Sequence, residues 1–373
     1  MAAVELEGAC QHAAPGAQPT GRPGLFVRAL RESNCIGASV LDVGSKPGML
    51  AMLARVAGAT RTAVVMRGEG ATSRAVESDI SVSSLDDLPT GSRFDFVATD
   101  DFGAFVVDSS VLATLRYASE KHLLPDGHRL PERFTLQLTP VASDELASIV
   151  GEWMNPFAEP NFSDFAEAAA NSLHRVRAGR DDALSPTAAI TSFDSDHDAY
   201  IGGSVTFHVE RPGTCCGLIG TWIAHLTSNV TLTNSPWGSN PVPHDQCFLP
   251  FAAAIAVEPG DSIRATLHVA PKSRTVAWRC DIVDAAGVSL ARFEHDTLQG
   301  AGTSPHDLLR LANNARPPRD DRFEIAIELL ALVNGVSSFS ELAHAMAASH
   351  PEAFSDRDQA LTFVRSVLAP LIP

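Results

Sequence analysis

The chain has 373 residues, 45% of them hydrophobic, enough for two or three domains with sizeable cores. Its 44 acidic against 28 basic residues leave a formal charge of −16, which repels a polyanion such as nucleic acid and tolerates a cationic peptide or small amine. No apolar run approaches the ~18–20 residues of a membrane span, and the N-terminus, with Glu5, Glu7 and Gly8, lacks a basic region followed by an apolar core, so a soluble cytoplasmic protein is expected.

Residues 1–24 are rich in Ala, Gly, Pro and Gln, show no period and read as a flexible N-terminal tail. Phe26 to Glu32 reads as a short helix. Next comes Val40-Leu41-Asp42-Val43-Gly44-Ser45-Lys46-Pro47-Gly48-Met49-Leu50, apolar residues with one acid running into a glycine-bearing turn, and then an alanine-rich amphipathic run from Met49 to Ala57. That order is strand, tight turn, helix. Such a turn brings backbone N–H groups at a helix N-terminus up against a ligand, and Gly44 and Gly48 sit where a side chain would block the approach. The same pattern also serves as a purely structural turn in many α/β domains.

Thr62 to Met66 reads as a second strand, followed by Arg67, Gly68 and Glu69. Phe94 to Asp100 is a third, ending on an acid, with Asp108 in the loop that follows. Ser110 to Leu124 has helical periodicity with Val111, Leu115, Ala118 and His122 on one side, His122 being read as packed rather than catalytic. Leu123 to Arg133, through Pro125, Asp126 and Gly127, reads as a β-turn between two halves of the chain.

Beyond Thr135, short β-prone runs recur between turn residues: Ser204–Glu210, Leu218–Leu226, Val230–Thr233, Cys247–Ala256, Ser262–Val269 and Thr275–Val283. One helical interruption, about Ser143 to Ser172, is broken near Pro156 and Pro160 and contains Trp153, Met154, Phe157, Phe162 and Phe165. Six cysteines without C-x-x-C spacing read as buried reduced thiols, and no metal site is called for. Residues 299–318, with Pro317, Pro318, Arg310 and Arg316, read as a linker. After it, Phe323, Ile327, Leu330 and Val333 recur at helical spacing, Asn334-Gly335 closes the helix, Ser340 caps a second run and Asp356 a third.

The run Leu41 to Ala54 with Ala57-Gly58-Ala59 resembles the first motif of class I S-adenosylmethionine (SAM) methyltransferases, most nearly the protein arginine methyltransferase family with its D-x-G-x-G-x-G turn. Lys46 stands at the middle glycine. Asp100 to Leu112 resembles that family's double-glutamate loop, with Asp100 at the first acidic position and Ser109, beside Asp108, at the second. Leu123 to Arg133 is similar to its L-x-P-G-G-x-x-x-P-x-R segment, and Leu232 to Leu249 to its T-H-W-x-Q loop. In that loop Gln246 fits the glutamine, and His244 falls on either the tryptophan or, with a one-residue deletion, the histidine.

The resemblance implies a Rossmann-like SAM-binding domain (25–134) and an antiparallel β-barrel (135–298) with a helical arm at about 143–172. A C-terminal helical module (319–373) follows, vaguely similar to small winged-helix domains that bind leader peptides. It implies SAM as cofactor at Asp42, Gly44, Lys46, Gly48 and the late acid Glu69. Asp100, Asp108 and His244 would form the catalytic group, a peptide or small amine or guanidine would be the substrate, and the arm would make a homodimer. Two functions remain open: a divergent SAM-dependent N-methyltransferase, or a catalytically inactive partner or peptide-binding scaffold, since the middle glycine, the ribose acid, the adenine-side glutamate and the second clamp acid have all changed.

Overall fold

Short apolar runs alternate with helices over the first third of the chain, the pattern that builds a parallel sheet with its strands buried on both faces. The computed structural model describes residues 21–44, 48–65, 78–154, 163–197, 200–239, 241–270, 275–299, 321–354 and 356–368. Lys46, Glu69, most of the expected tail and the linker arginines Arg310 and Arg316 lie outside them. By its internal contacts the chain divides into two units, Met1–Gly302 and Thr303–Pro373.

The first unit opens with helix α1 (Gly21–Glu32), which begins inside the stretch expected to be a flexible tail. Then follow β1 (Ser39–Asp42), α2 (Met49–Ala57), β2 (Arg61–Val65), β3 (Ile80–Val82), β4 (Phe94–Ala98), α3 (Val111–His122) and β5 (Leu123–Leu130). The strands form one parallel sheet in the order β3-β2-β1-β4-β5. β5 corrects the expectation of a β-turn over Leu123 to Arg133. Pro125, Asp126 and Gly127 are taken up as an irregularity in register opposite Phe94 to Phe96, and the chain does not reverse. A Cβ on Gly127 would come 2.6 Å from Leu123 Cδ1, so the glycine lets the irregular strand lie flat against its neighbour.

The rest of the first unit is antiparallel. β6 (Arg133–Val141), β7 (His174–Val176), β8 (Ala188–Asp194), β10 (Gly213–His225), β11 (Thr231–Thr233) and β12 (Gln246–Val257) form one sheet along the path β7-β12-β10-β6-β8, with β11 on β10. β9 (Ile201–His208), β13 (Ser262–Ala270), β14 (Thr275–Val283) and β15 (Ser289–Asp296) form a second, in the order β15-β14-β13-β9. Among the described residues the hydrogen-bonded path does not close into one barrel. β14 alternates buried and half-buried residues along its whole length, the period-2 signature that made it legible. β15 was missed because its outward positions are charged: Arg292 and Glu294 pair with Asp281 and Arg279 of β14. One apolar core joins the parallel and antiparallel halves, from Phe26 and Leu41 through Phe102 and Phe134 to Trp222 and Trp278.

The helical interruption comprises α4 (Asp144–Gly151), a 3-10 turn at Glu152–Met154 and α5 (Ser163–Ala170). Leu146 packs with Val141, Cys216, Ile219 and Phe248 on the sheet. Trp153 and Phe165 stack at 5.4 Å and remain exposed. Cys35, Cys215, Cys216, Cys247 and Cys280 are buried free thiols, and burial pushes Cys215 up to about 12.

The second unit contains α6 (Asp321–Leu332), α7 (Phe339–Ser349) and α8 (Arg357–Leu368) around Ile325, Leu329, Leu342, Met346, Val364 and Leu368. The helix is where the spacing of Phe323, Ile327, Leu330 and Val333 puts it, but those four side chains are exposed. Ile325 and Leu329 lie one turn apart as well, and packing against α7 and α8 selects them. The cap of α7 is Ser338 and not Ser340. Its hydroxyl accepts from Glu341 N while the Glu341 carboxylate accepts from Ser338 N at 2.8 Å. Asp356 does cap α8, accepting from Gln359 N at 2.8 Å. Among the described residues no helix is long and apolar enough to cross a membrane.

Candidate functional site

The site lies at the carboxyl ends of β1 and β4, which run side by side with Leu41 opposite Val97 and Asp42 opposite Ala98. One residue past β1, Val43 N donates to Ala98 O at 2.9 Å and holds the two strand ends level. Gly44 and Asp100 therefore meet. A Cβ on Gly44 would stand 2.6 Å from Asp100 Oδ1 and 3.2 Å from Asp42 Oδ1, so hydrogen is the only side chain that fits between the two carboxyl groups.

Asp42 is buried and accepts three backbone bonds: Gly44 N to Oδ1 at 2.9 Å, and Leu50 N and Ala51 N to Oδ2 at 2.9 and 3.1 Å. It caps α2 from the neighbouring strand, because the residue at the helix start, Gly48, has φ +71 and no side chain to offer. Two of the helix N-terminal donors expected to face a ligand are thus held by Asp42. Burial raises its carboxyl to about 7 against the opposing pull of those three N–H donors, and the nearby charge of Asp100 adds to the rise.

Asp100 is 3% exposed. Its carboxylate faces a guanidinium from the chain itself: Arg22 Nη2 lies 3.1 Å from Oδ2 and also donates to the Asp100 carbonyl. The same guanidinium sits over the Phe102 ring, 5.6 Å from its centroid. Arg22 was missed in the sequence because it falls in a stretch with no period. The available signal was Pro23, which starts a helix when it stands in the first turn.

Asp108 is present in the loop but turns back on it, accepting from Ala104 N at 3.0 Å and Phe105 N at 3.1 Å, with Arg175 of β7 at 3.9 Å. Gly103, at φ +60, makes that turn possible, since a Cβ there would fall 2.3 Å from Asp108 Oδ1. The loop is wedged into the antiparallel half. Phe102 meets the Phe134 and Trp222 rings edge-on at 5.5 and 5.0 Å, and Phe105 occupies the space left by the missing side chain of Gly220.

His244 reaches this loop through intermediaries. Its ring meets Trp222 edge-on at 5.9 Å, and Trp222 Nε1 donates to Gly103 O at 3.2 Å. Asn234, fully buried, accepts from Trp222 N and donates to Ala104 O and Asp245 O, each at 2.8 Å. Gln246 Nε2 donates to Asn234 O and His244 O. The structure thus brings Asp42, Gly44, Gly48 and Asp100 to one place, ties His244 to the same loop, and directs Asp108 at its own backbone. Lys46 and Glu69 lie outside the described residues. Chemically, two buried carboxyl groups at the ends of adjacent strands favour a cation, and a guanidinium already occupies one of them.

No protein-family model matches the chain. A curated relative, arginine N(omega)-methyltransferase of Streptomyces achromogenes subsp. streptozoticus, is 24% identical over 266 residues, 66% of this chain and 73% of the relative. The crystal structure of Arabidopsis thaliana protein arginine methyltransferase 10, in a uniquely open conformation, aligns with a TM-score of 0.58 and 16% identity, covering 74% of this chain and 95% of that one. The Trypanosoma brucei PRMT1 enzyme–prozyme heterotetrameric complex with AdoHcy aligns at 0.61 and 16%, covering 74% and 93%. The chain is therefore similar to the protein arginine methyltransferases, as a divergent relative that shares their fold over about three quarters of its length.

Proposed function

We propose that the chain is a SAM-dependent N-methyltransferase of the arginine methyltransferase type, acting on a peptide or small-molecule nitrogen. The observation that carries this is the meeting of Asp42, Gly44 and Asp100, in which a glycine slot between two buried carboxyl groups ends a βα turn. The missing side chain at Gly44 lets the two carboxyl groups stand close together, and an acidic pair of this kind favours a cationic ligand. SAM, when bound, supplies an electrophilic methyl group on a sulfonium.

The protein's part is orientation and charge. Asp42 holds the turn rigid by capping α2. Asp100 accepts a hydrogen bond from the nitrogen to be methylated and orients its lone pair, a role that needs Arg22 to share or release the carboxylate. Asp108 joins as a second acceptor only if it gives up Ala104 N and Phe105 N. His244, braced on Trp222, shapes the acceptor side. The name of the Streptomyces relative supports an arginine-type acceptor. We read the two antiparallel sheets as the family's barrel and α4–α5 as its arm, with the exposed Trp153–Phe165 stack as the contact for a second copy.

Specific observations favour a second reading, a catalytically inactive partner or scaffold. Asp100 is held by Arg22, Asp108 is engaged by its own loop, and one of the similar structures pairs an enzyme with a prozyme. Calorimetric titration of the full chain with SAM separates the two. Saturable binding, with labelled methyl transferred to arginine-containing peptides or free guanidines and lost in Asp100→Asn, supports the enzyme. Absence of binding at millimolar SAM supports the scaffold.

A further inference from the structure

Strand β10 has two faces. Gly220 and Trp222 turn toward Phe105 and Gly103 in the loop of the candidate site. Thr221 and Ile223 alternate with them and leave the sheet on the opposite side. Gln137 of β6 stands directly opposite Thr221, and Thr233 of β11 opposite Ile223, so these four side chains share that second face. Thr187, just before β8, and the turn through Ser235, Trp237 and Ser239 wall a cleft of about 420 Å³ over it. Pro186, Thr187 and Trp237 also line an adjoining cavity of about 420 Å³, so the cleft continues past the indole.

The lining differs from the rest of the chain. None of its ten residues is charged, although 19% of all residues are and the net charge is −16. Five carry a hydroxyl, one an amide and one an indole. Much of that hydrogen-bonding capacity is unused. The Gln137 amide and the Thr231 and Ser239 hydroxyls have no hydrogen-bond partner among the described residues. The Ser235 hydroxyl is buried without one, and so is that of Thr221 beside Gln137. Polar groups withdrawn from water and left unpaired cost free energy, and a ligand that bonds them offsets the cost. Trp237 is held in place: its Nε1 donates to Arg180 O at 2.9 Å, and its ring packs against the cluster around Ile219 and Phe248.

These features select the ligand. With no charge in its lining, the cleft has nothing to pair with a phosphate, a carboxylate or a guanidinium. Its density of polar groups disfavours an apolar ligand, which would strand them. Hydroxyls both donate and accept, and the amide offers two donors and an acceptor, which matches a ligand whose own groups do both. The indole gives a flat apolar surface for the C–H face of a sugar ring. The volume falls within the ~300–1,000 Å³ of small-molecule sites.

We propose that this face of the antiparallel half binds a neutral saccharide, with Trp237 against a ring face and Gln137, Thr231, Ser235 and Ser239 on its hydroxyls. The cleft lies across β10 from the Asp42–Asp100 site and stands independently of the methyltransferase reading.

The test is ligand-observed saturation-transfer NMR on the full chain with glucose, galactose, mannose, N-acetylglucosamine and their disaccharides. At least one sugar binds saturably, with an affinity that added salt leaves unchanged because no charge is involved. Trp237→Ala abolishes that binding, and Gln137→Leu weakens it about tenfold with circular dichroism unchanged. Should Trp237→Ala unfold, Ser239→Val on the exposed wall carries the same expectation as Gln137→Leu. The proposal is overturned by any of three results: no sugar binds at any attainable concentration, Gln137→Leu and Ser239→Val both bind as the wild type does, or an uncharged glycine–proline peptide binds as tightly as the best sugar.

Discussion

Arg22, in the first turn of α1, holds the buried carboxylate of Asp100 at the end of β4 across 3.1 Å. Nearly eighty residues of chain separate the two, and the contact pins the N-terminal helix over the site. The guanidinium and the acid are each largely withdrawn from water, so neither partner can be removed without stranding the other.

Arg22→Ala is therefore expected to destabilise the first unit by about 3 kcal/mol, since it leaves a buried charge unpaired. Arg22→Ala combined with Asp100→Asn should cost clearly less than the sum of the two single changes. Urea unfolding of the four proteins measures the coupling, and simple additivity would mean that the pair contributes little.

Asp42 titrates near 7 in the folded protein and near its ordinary 3.8 when unfolded. Between those values the folded state retains a proton that the unfolded chain releases, so this residue makes stability fall as pH rises from about 4 to about 7. Asp42→Asn removes that slope while costing about 1 kcal/mol of capping at all pH values. Chemical unfolding of both proteins between pH 5 and 8 should show stability declining more steeply in the wild type.

His295 works in the opposite direction. It is buried beside Trp278 and Phe293, neither ring nitrogen has a hydrogen-bond partner, and burial lowers its pKa from 6.5. The unfolded chain takes up a proton below about 6.5 that the folded ring refuses, so stability is present above that pH and is lost as pH falls through the folded value. His295→Phe should flatten the acid side of the thermal unfolding profile below pH 6.5, and an unchanged profile would assign the acid sensitivity elsewhere.

Asn234 satisfies Trp222 N, Ala104 O and Asp245 O at once in a fully buried position. Asn234→Ala leaves all three unmet, which should cost about 2–4 kcal/mol. Because the amide ties the His244 segment to the Asp100–Asp108 loop, hydrogen exchange should accelerate in both segments together. Acceleration in only one would show that they are not coupled through this side chain.

Local patterns in the chain were enough for the βα turn at Gly44, the helix from Met49 to Ala57 and the alternating strands such as Thr275–Val283. In each, the period of apolar residues and the glycine positions describe a structure made by near neighbours. Gly44 and Gly48 could be singled out for the same reason, by their place in the turn, whereas Asp42 and Asp100 are singled out only through the resemblance to the arginine methyltransferases. Direction was another matter. Asp108 is acidic and adjacent to the expected position, yet its carboxylate closes a turn on Ala104 and Phe105, a result of Gly103 adopting φ +60 and of Phe102 and Phe105 being drawn into the core.

Amphipathic period alone decided that α6 is a helix, but not which of its two apolar faces is buried; the packing of Ile325 and Leu329 against α7 and α8 chose that. Chain order likewise placed an acid at the end of β4. Only the fold brought Arg22 to it, because the partner of a buried charge is set by which segments become neighbours in space, and a local pattern of residues carries no record of that.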